Sequence, residues 1–272
     1  MKPDGRSDAV TIDEMYGEWD YEAAVAVLER SLHPRPSSSL FDTVASIGLD
    51  ASWVVLDIGG REAGQGLVMA ERFGCRVVVV DPVEANLERA ARAIADHEYG
   101  HLVELRRGTF EHIPAEDGVF DMAFSRDVLG HVADIDRALA ECARVLRAGA
   151  TLVIHGVFAA DLLEPAEAQR LCADAAMVPE RLSRPGFKQA AETAGFAIED
   201  VDVIGSEWPE ASQESGDAPD YLLQVSRLRR DRQGLIEELG EAVYRVMYAN
   251  ALYSIYQLIG KLESRVYVLR AP

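Results

Sequence analysis

The chain has 272 residues, 49% of them hydrophobic, and a net charge of −19 from 46 acidic against 27 basic side chains. That length suits one sizeable α/β domain with a cap and excludes two large independent domains, while so acidic a surface repels phosphate backbones and anionic bilayers and argues against nucleic-acid and membrane partners. There is no run of about 18 apolar residues and no apolar signal region at the N-terminus, so a cytoplasmic protein is expected; Cys75, Cys142 and Cys172 are odd in number, far apart and without metal-ligand spacing, so reduced thiols and no metal are expected.

Residues 1–50 read as largely helical. Glu22 to Arg30 combines helix formers with apolar positions on one face, the stretch from His33 through Ser39 breaks it, and Leu40 to Ile47 predicts a second short helix. Val54-Val55-Leu56-Asp57-Ile58-Gly59-Gly60-Arg61-Glu62-Ala63-Gly64-Gln65-Gly66 then reads as a buried strand, a Gly-rich turn and a helix start, and Arg76 to Val80 as a second strand ending on Asp81. This is a nucleoside-binding βαβ pattern, in which the turn lets backbone approach a ligand and the later acid accepts hydrogen bonds from ribose hydroxyls. Asp57 would repel the pyrophosphate of a dinucleotide and tolerate a cofactor carrying cationic groups, which argues against a nicotinamide dehydrogenase.

Further strands are predicted near 102–106, 120–125 and 150–155, with helices between. The alternation requires a parallel sheet with right-handed crossovers, and the apolar strands 76–81 and 150–155 require helices on both faces. Asp57, Asp81, Thr109 and Ser125 all fall at the carboxyl ends of strands, where such sheets bind ligands. Residues 156–194 read as a mostly helical segment on the acceptor side, 195–204 as a sixth strand, and Glu207 to Asp217 as a polar loop. Helices near 220–238 and 240–261 precede a last strand at 265–270.

Four segments, in order, resemble the class I S-adenosylmethionine-dependent methyltransferases over about residues 50–160. They are the Asp57-x-Gly59 turn, Gly108-Thr109-Phe110-Glu111-His112-Ile113-Pro114 with Asp117 to Asp121, Phe120 to Val132, and Ala138 to Ile154 with its Leu146-Arg147-Ala148-Gly149 turn. The resemblance implies a Rossmann-like seven-stranded, mostly parallel sheet with helices on both faces. An N-terminal helical lid would span 1–50, the cofactor-binding core 51–206, a helical cap 207–262 and an antiparallel final strand 263–272. The chain departs from the family pattern at Arg61 and Ala63, which stand where later glycines are usual, and at Thr109, where an Asp is common.

The implied cofactor is S-adenosylmethionine, with Asp57, Gly59, Gly60 and Gly64 around its methionine moiety and Asp81 and Pro82 at the ribose. Thr109 and Phe110 would lie near adenine, and Ser125 and Arg126 on the cofactor side of the fourth strand. Methyl transfer relies on alignment and desolvation, and a hydroxyl or protonated amine acceptor also needs a base. His131 is the candidate base, against a structural role for the same residue; Asp127 would orient an acceptor or Arg126. Ser125-Arg126-Asp127 followed closely by His resembles phosphoethanolamine methyltransferases among other small-molecule enzymes. Tyr16, Trp19, His155, Phe158, Tyr244 and Tyr248 are candidate contacts to a small-molecule acceptor. The tyrosine stripe of 244–256 would equally pack the cap onto the core or form a homodimer interface. His97 and His101 lack a third ligand and read as solvent-exposed. The competing function is a protein of this fold that transfers no methyl group, such as a cyclase or a binding protein.

Overall fold

The computed structural model describes residues 10–17 and 19–272. The first nine residues and Glu18 of the expected lid lie outside the described residues. The chain divides into a unit ending at Pro34 and a larger one, Arg35–Pro272.

In the first unit, α1 (Ile12–Met15) opens on a capping box: the Thr11 hydroxyl accepts from the Glu14 N–H and the Glu14 carboxylate from the Thr11 N–H. Asp20 caps α2 (Tyr21–Leu28) through the Ala23 N–H. Tyr16, Trp19 and Tyr21 are all exposed; the Trp19 indole N–H donates to the Met15 carbonyl, and its ring centroid lies 5.7 Å from that of Tyr21.

The larger unit is built on a seven-stranded sheet. In chain order the strands are β1 (Val54–Ile58), β2 (Arg76–Asp81), β3 (Val103–Arg107), β4 (Phe120–Arg126), β5 (Leu146–Ala159), β6 (Ala197–Gly205) and β7 (Leu262–Arg270), and in space they run β3-β2-β1-β4-β5-β7-β6. β1 to β5 pair in parallel, and β7 lies antiparallel between β5 and β6. Because successive strand residues point to opposite faces, the continuous Val/Leu/Ile runs feed two cores. Leu56, Ile58, Val78 and Val80 join Leu139, Cys142 and Phe187 on one face; Val55, Val77 and Val79 join Leu40, Phe41, Leu67 and Met69 on the other. The first face is covered by α6 (Ile135–Val145) and α8 (Arg184–Thr193), the second by α3 (Leu40–Ser46) and α4 (Gly64–Phe73), while α5 (Glu84–Ala95) links β2 to β3 and α7 (Pro165–Asp174) follows β5.

Four helices occupy the chain between β6 and β7. The expected loop at 207–217 is instead α9 (Glu207–Ser215). Its composition is polar, but Trp208 is buried and donates to the Ser39 hydroxyl, and Arg35 forks onto Glu207 and Asp202, which fixes its first turn. The helical stretch expected at 220–238 is two helices, α10 (Tyr221–Arg230) and α11 (Arg232–Leu239). The break is at Asp231, whose carboxylate turns back to accept from the Gly234 N–H. α12 (Glu241–Leu258) begins after Gly240, whose φ of +83° suits only a residue without Cβ. Among the described residues no helix is long and apolar enough to cross a membrane. Cys75, Cys142 and Cys172 are free and buried, and burial pushes the Cys75 thiol up to about 11.

Candidate functional site

Strand order reverses between β1 and β4, and the turn after β1 carries the unusual backbone. Gly59, Arg61 and Ala63 have φ of +71°, +47° and +63°. The chain thus keeps a left-handed shape at two positions that hold side chains, at a cost of about 1 kcal/mol each. Ala63, fully buried, is the N-cap of α4. A Cβ on Gly59 would meet Val128 Cγ2 at 2.3 Å and one on Gly60 would meet Asp57 Oδ2 at 2.7 Å, so both positions need glycine for close packing.

Asp57 lies beneath this turn, 1% exposed, with Oδ2 making no hydrogen bond. Burial pushes its carboxyl up to about 7, offset in part by the Gly66 N–H and reinforced by the charge of Asp81. Asp81, at the end of β2, is held by three donors: the Arg61 N–H on Oδ2 (3.0 Å), and the Val83 N–H (2.9 Å) and Asn86 amide (3.0 Å) on Oδ1. A carboxylate accepts about four hydrogen bonds, so the orientation of Asp81 is fixed while capacity for a ligand donor remains.

These residues open onto adjoining cavities at the carboxyl ends of the strands. The largest, about 730 Å³, is lined by Gly59, Asp81, Pro82, Asp127, His131 and Tyr253 among others. A recess of about 360 Å³ is lined by Asp57, Gly60, Gly64 and Gln65. The two share Gly59, Arg61, Arg126 and Asp127. A smaller pocket of about 170 Å³ holds Thr109 and Phe110 and shares Pro82 and His131 with the largest. The volumes suit a drug-sized ligand. A separate cavity of about 710 Å³ lies at the amino ends of the strands, between Val54, Arg76, Val103 and Phe120, and contains none of the candidate residues.

Asp127 has φ of +58° just past β4. Its Oδ1 lies 3.2 Å from His155 Nδ1 and its Oδ2 3.7 Å from Arg126 Nε. Burial raises its carboxyl, but His155, Arg126 and His131 outweigh that and hold it below the usual range. His131 places Nδ1 2.8 Å from the Ala176 carbonyl, which can only accept; the proton therefore sits on Nδ1, and the neutral ring keeps Nε2 free to take a proton. Ser125, fully buried on β4, has an unpartnered hydroxyl.

The acceptor candidates separate. His155 is 2% exposed and stacks on Trp208 with centroids 4.5 Å apart, while Phe158 is fully buried against Phe187 and Tyr267; neither is among the residues lining these cavities. Tyr244 donates to the Leu228 carbonyl and stacks on Tyr248 at 6.3 Å, joining α12 to α10, and neither ring lines the cavity. Tyr221, Asn250, Tyr253 and Ser254 do line it. The available signal for them was Asn250 and Ser254, two polar residues four apart on one helix face beside Tyr253. Burial and the charge of Asp127 raise the Tyr253 phenol well above its ordinary value, so it stays protonated. His97 Nε2 lies 3.8 Å from Glu71 and His101 is exposed; among the described residues no His/Cys/Asp/Glu group could hold a metal.

Residues 56–154 match the family described as a methyltransferase domain. The sarcosine/dimethylglycine N-methyltransferase of Halorhodospira halochloris is 35% identical over 107 residues, covering 39% of this chain and 38% of that one. The chain spans between 19% and 60% of the lengths of the first curated relatives it matches. Among solved structures, a geranyl diphosphate methyltransferase in complex with SAM aligns with TM-score 0.66 at 15% identity, over 87% of this chain and 85% of that one. The cyclase SpnF aligns with TM-score 0.68 at 19% identity, over 92% and 90%. The mostly parallel seven-stranded α/β fold of the class I methyltransferases is therefore the fold of this chain.

Proposed function

We propose, on the premise that residues 56–154 form a methyltransferase domain of the class I type, that the protein binds S-adenosylmethionine and methylates a small molecule, a secondary metabolite in the cytoplasm. The observation that carries this reading is the turn at 59–63. Its left-handed backbone survives the replacement of glycine by Arg61 and Ala63, and it stands beside an oriented Asp81 on one wall of the joined cavities. A turn merely decaying from an old function would relax those two strained residues.

The residues fit a nucleoside that carries cations and no phosphate. Asp57 is a buried acid with an unpartnered oxygen, Asp81 is a ribose acceptor, and Thr109 and Phe110 line a narrow pocket for a flat ring. Arg61 and Arg126 supply positive charge for an amino-acid carboxylate. The bound cofactor supplies an electrophilic methyl on a sulfonium. The chain supplies alignment and exclusion of water, and His131 Nε2 is the group that takes a proton from an acceptor in the cavity of Tyr253, Asn250 and Ser254.

Calorimetric titration of ligand-stripped protein with S-adenosylmethionine and S-adenosylhomocysteine tests the reading. Micromolar binding of both is expected, with most of the affinity lost in Asp81→Ala. A second reading, a cyclase or other non-methylating protein on this fold, is favoured by the side chains at 61 and 63 and by Thr109 where the family often has an acid. It takes the lead when neither compound binds.

A further inference from the structure

We propose that Asp127 is the counter-ion of the cofactor's sulfonium and that His155 positions it, so that the site distinguishes the charged cofactor from its neutral demethylated product. The inference rests on the methyltransferase reading and goes further, because it assigns a carboxylate to the one cofactor atom whose charge changes during transfer.

Asp57, Gly60 and Gly64 line the smaller recess, assigned to the methionine moiety, and Asp81 lines the larger, assigned to the ribose. Sulfur is the atom covalently joined to both, so it belongs beside the residues that line both: Gly59, Arg61, Arg126 and Asp127. Asp127 is the only acid among those four. Of the other acids, Asp57 and Glu62 line the smaller recess alone, Glu62 paired with Arg89, and Asp81, held by three donors, lines the larger alone.

Several contacts serve the placement of this one carboxylate. The residue occupies a left-handed conformation that an Asp tolerates better than most side chains. Its N–H donates to the His155 carbonyl at 3.3 Å, and its side chain, about half exposed at 47%, places Oδ1 3.2 Å from His155 Nδ1, close enough for charge interaction though the ring makes no hydrogen bond to it. The guanidinium of Arg126, the cation that competes most directly, lies over the Trp208 ring at 5.3 Å and leaves its Nε 3.7 Å from Asp127 Oδ2, beyond hydrogen-bond distance. The same indole stacks on His155 and is anchored to Ser39, so one ring holds both neighbours of Asp127. Transfer leaves the sulfur–carbon bonding pair on sulfur and the methyl on the acceptor; the resulting thioether is neutral, and Asp127 loses its partner. Charge loss in a half-buried site weakens binding substantially.

The test is the ratio of two affinities, which needs no acceptor. The full chain is titrated by calorimetry with S-adenosylmethionine and S-adenosylhomocysteine, as wild type, Asp127→Asn, His155→Phe and His155→Asn. Asn also tolerates a positive φ, so the first variant should fold. Asp127→Asn is expected to weaken S-adenosylmethionine about tenfold and S-adenosylhomocysteine less than about twofold. His155→Phe keeps a ring on Trp208 but removes the polar nitrogen beside Asp127 Oδ1 and should shift the ratio the same way; His155→Asn returns a polar nitrogen near the Nδ1 position and should recover most of it. Equal weakening of both compounds, or an unchanged ratio, overturns the assignment. A wild-type protein that binds neither brings down the methyltransferase reading and this inference with it. Binding of both by wild type with an unaltered ratio in the variants brings down this inference alone.

Discussion

Replacing Arg35 by Met should cost stability in a way that depends on pH. Arg35 donates from Nε and Nη2 to both oxygens of Glu207 at 2.8 Å, and from Nη1 and Nη2 to Asp202 at 2.7 and 3.2 Å. The hydrogen bonds from Arg35, less the cost of burial, bring the Glu207 carboxyl from 4.5 down to about 2. Taken whole, that shift corresponds to about 3 kcal/mol by linkage. Glu207 is 34% exposed and Arg35 41%, so solvent screening reduces the figure to about 1.5 kcal/mol. In a unit of this size that is about 3–6 °C in thermal midpoint. Since the folded pKa lies below the unfolded one, the contribution is complete above about pH 5, is lost as pH falls towards 2, and less than half of it survives at pH 3. Urea unfolding of wild type and Arg35→Met at pH 7 and pH 3 measures this directly. Met keeps the aliphatic stem, so the deficit should be largest at pH 7 and shrink at pH 3. A deficit equal at both values would mean that Arg35 acts by packing and that the ion pairs contribute nothing.

Asp57→Asn removes a carboxyl whose folded pKa is raised to about 7, so wild type should lose stability as pH rises from about 4 to 7 while the variant does not; urea midpoints at pH 5 and 8 should differ between the two proteins by an amount equivalent to about 2–4 kcal/mol. Arg61→Gly relieves a φ of +47° worth about 1 kcal/mol but frees the unfolded chain by a similar amount, so the thermal midpoint should stay within about 2 °C of wild type or rise; a clear fall would show that the Arg61 side chain itself carries stability. His131→Ala should leave S-adenosylmethionine affinity intact and lower single-turnover methylation of an accepted substrate about 10²-fold or more, and an unchanged rate would reduce His131 to a scaffold residue.

β1, β2 and β5 were legible because buried parallel strands are continuous apolar runs, and each of the seven strands falls within a few residues of its expected place. The places of Asp57 and Asp81 at the carboxyl ends of β1 and β2 were legible from the βαβ spacing. The helix at 207–215 was not, because its residues Glu207, Pro209, Glu210 and Ser212 have the composition of a loop. What makes them helical is remote in sequence, in Arg35 and Ser39. The tyrosines of α12 show the same limit: periodicity placed Tyr244 and Tyr248 on one face, but the arrival of α10 decides that this face is packed, and Tyr253 is the one that borders the cavity. Nor does any pattern of letters announce that Arg61 and Ala63 hold a glycine's conformation.

The last strand also dictates when the molecule can exist. Among the described residues β7 supplies the only strand pairing of β6 and one whole edge of β5, so Leu262–Arg270 is hydrogen-bonded on both sides by segments made up to 119 residues earlier. Until that stretch leaves the ribosome, β5 presents a bare, apolar edge, the kind of surface on which chains pair with each other. The strands β1 to β4 and the nucleoside turn can form early, whereas Gly156 and Val157 in the cavity wall must wait for β7 to seat beside them. A ligand that needs both regions would therefore find nothing to bind until synthesis had passed residue 270.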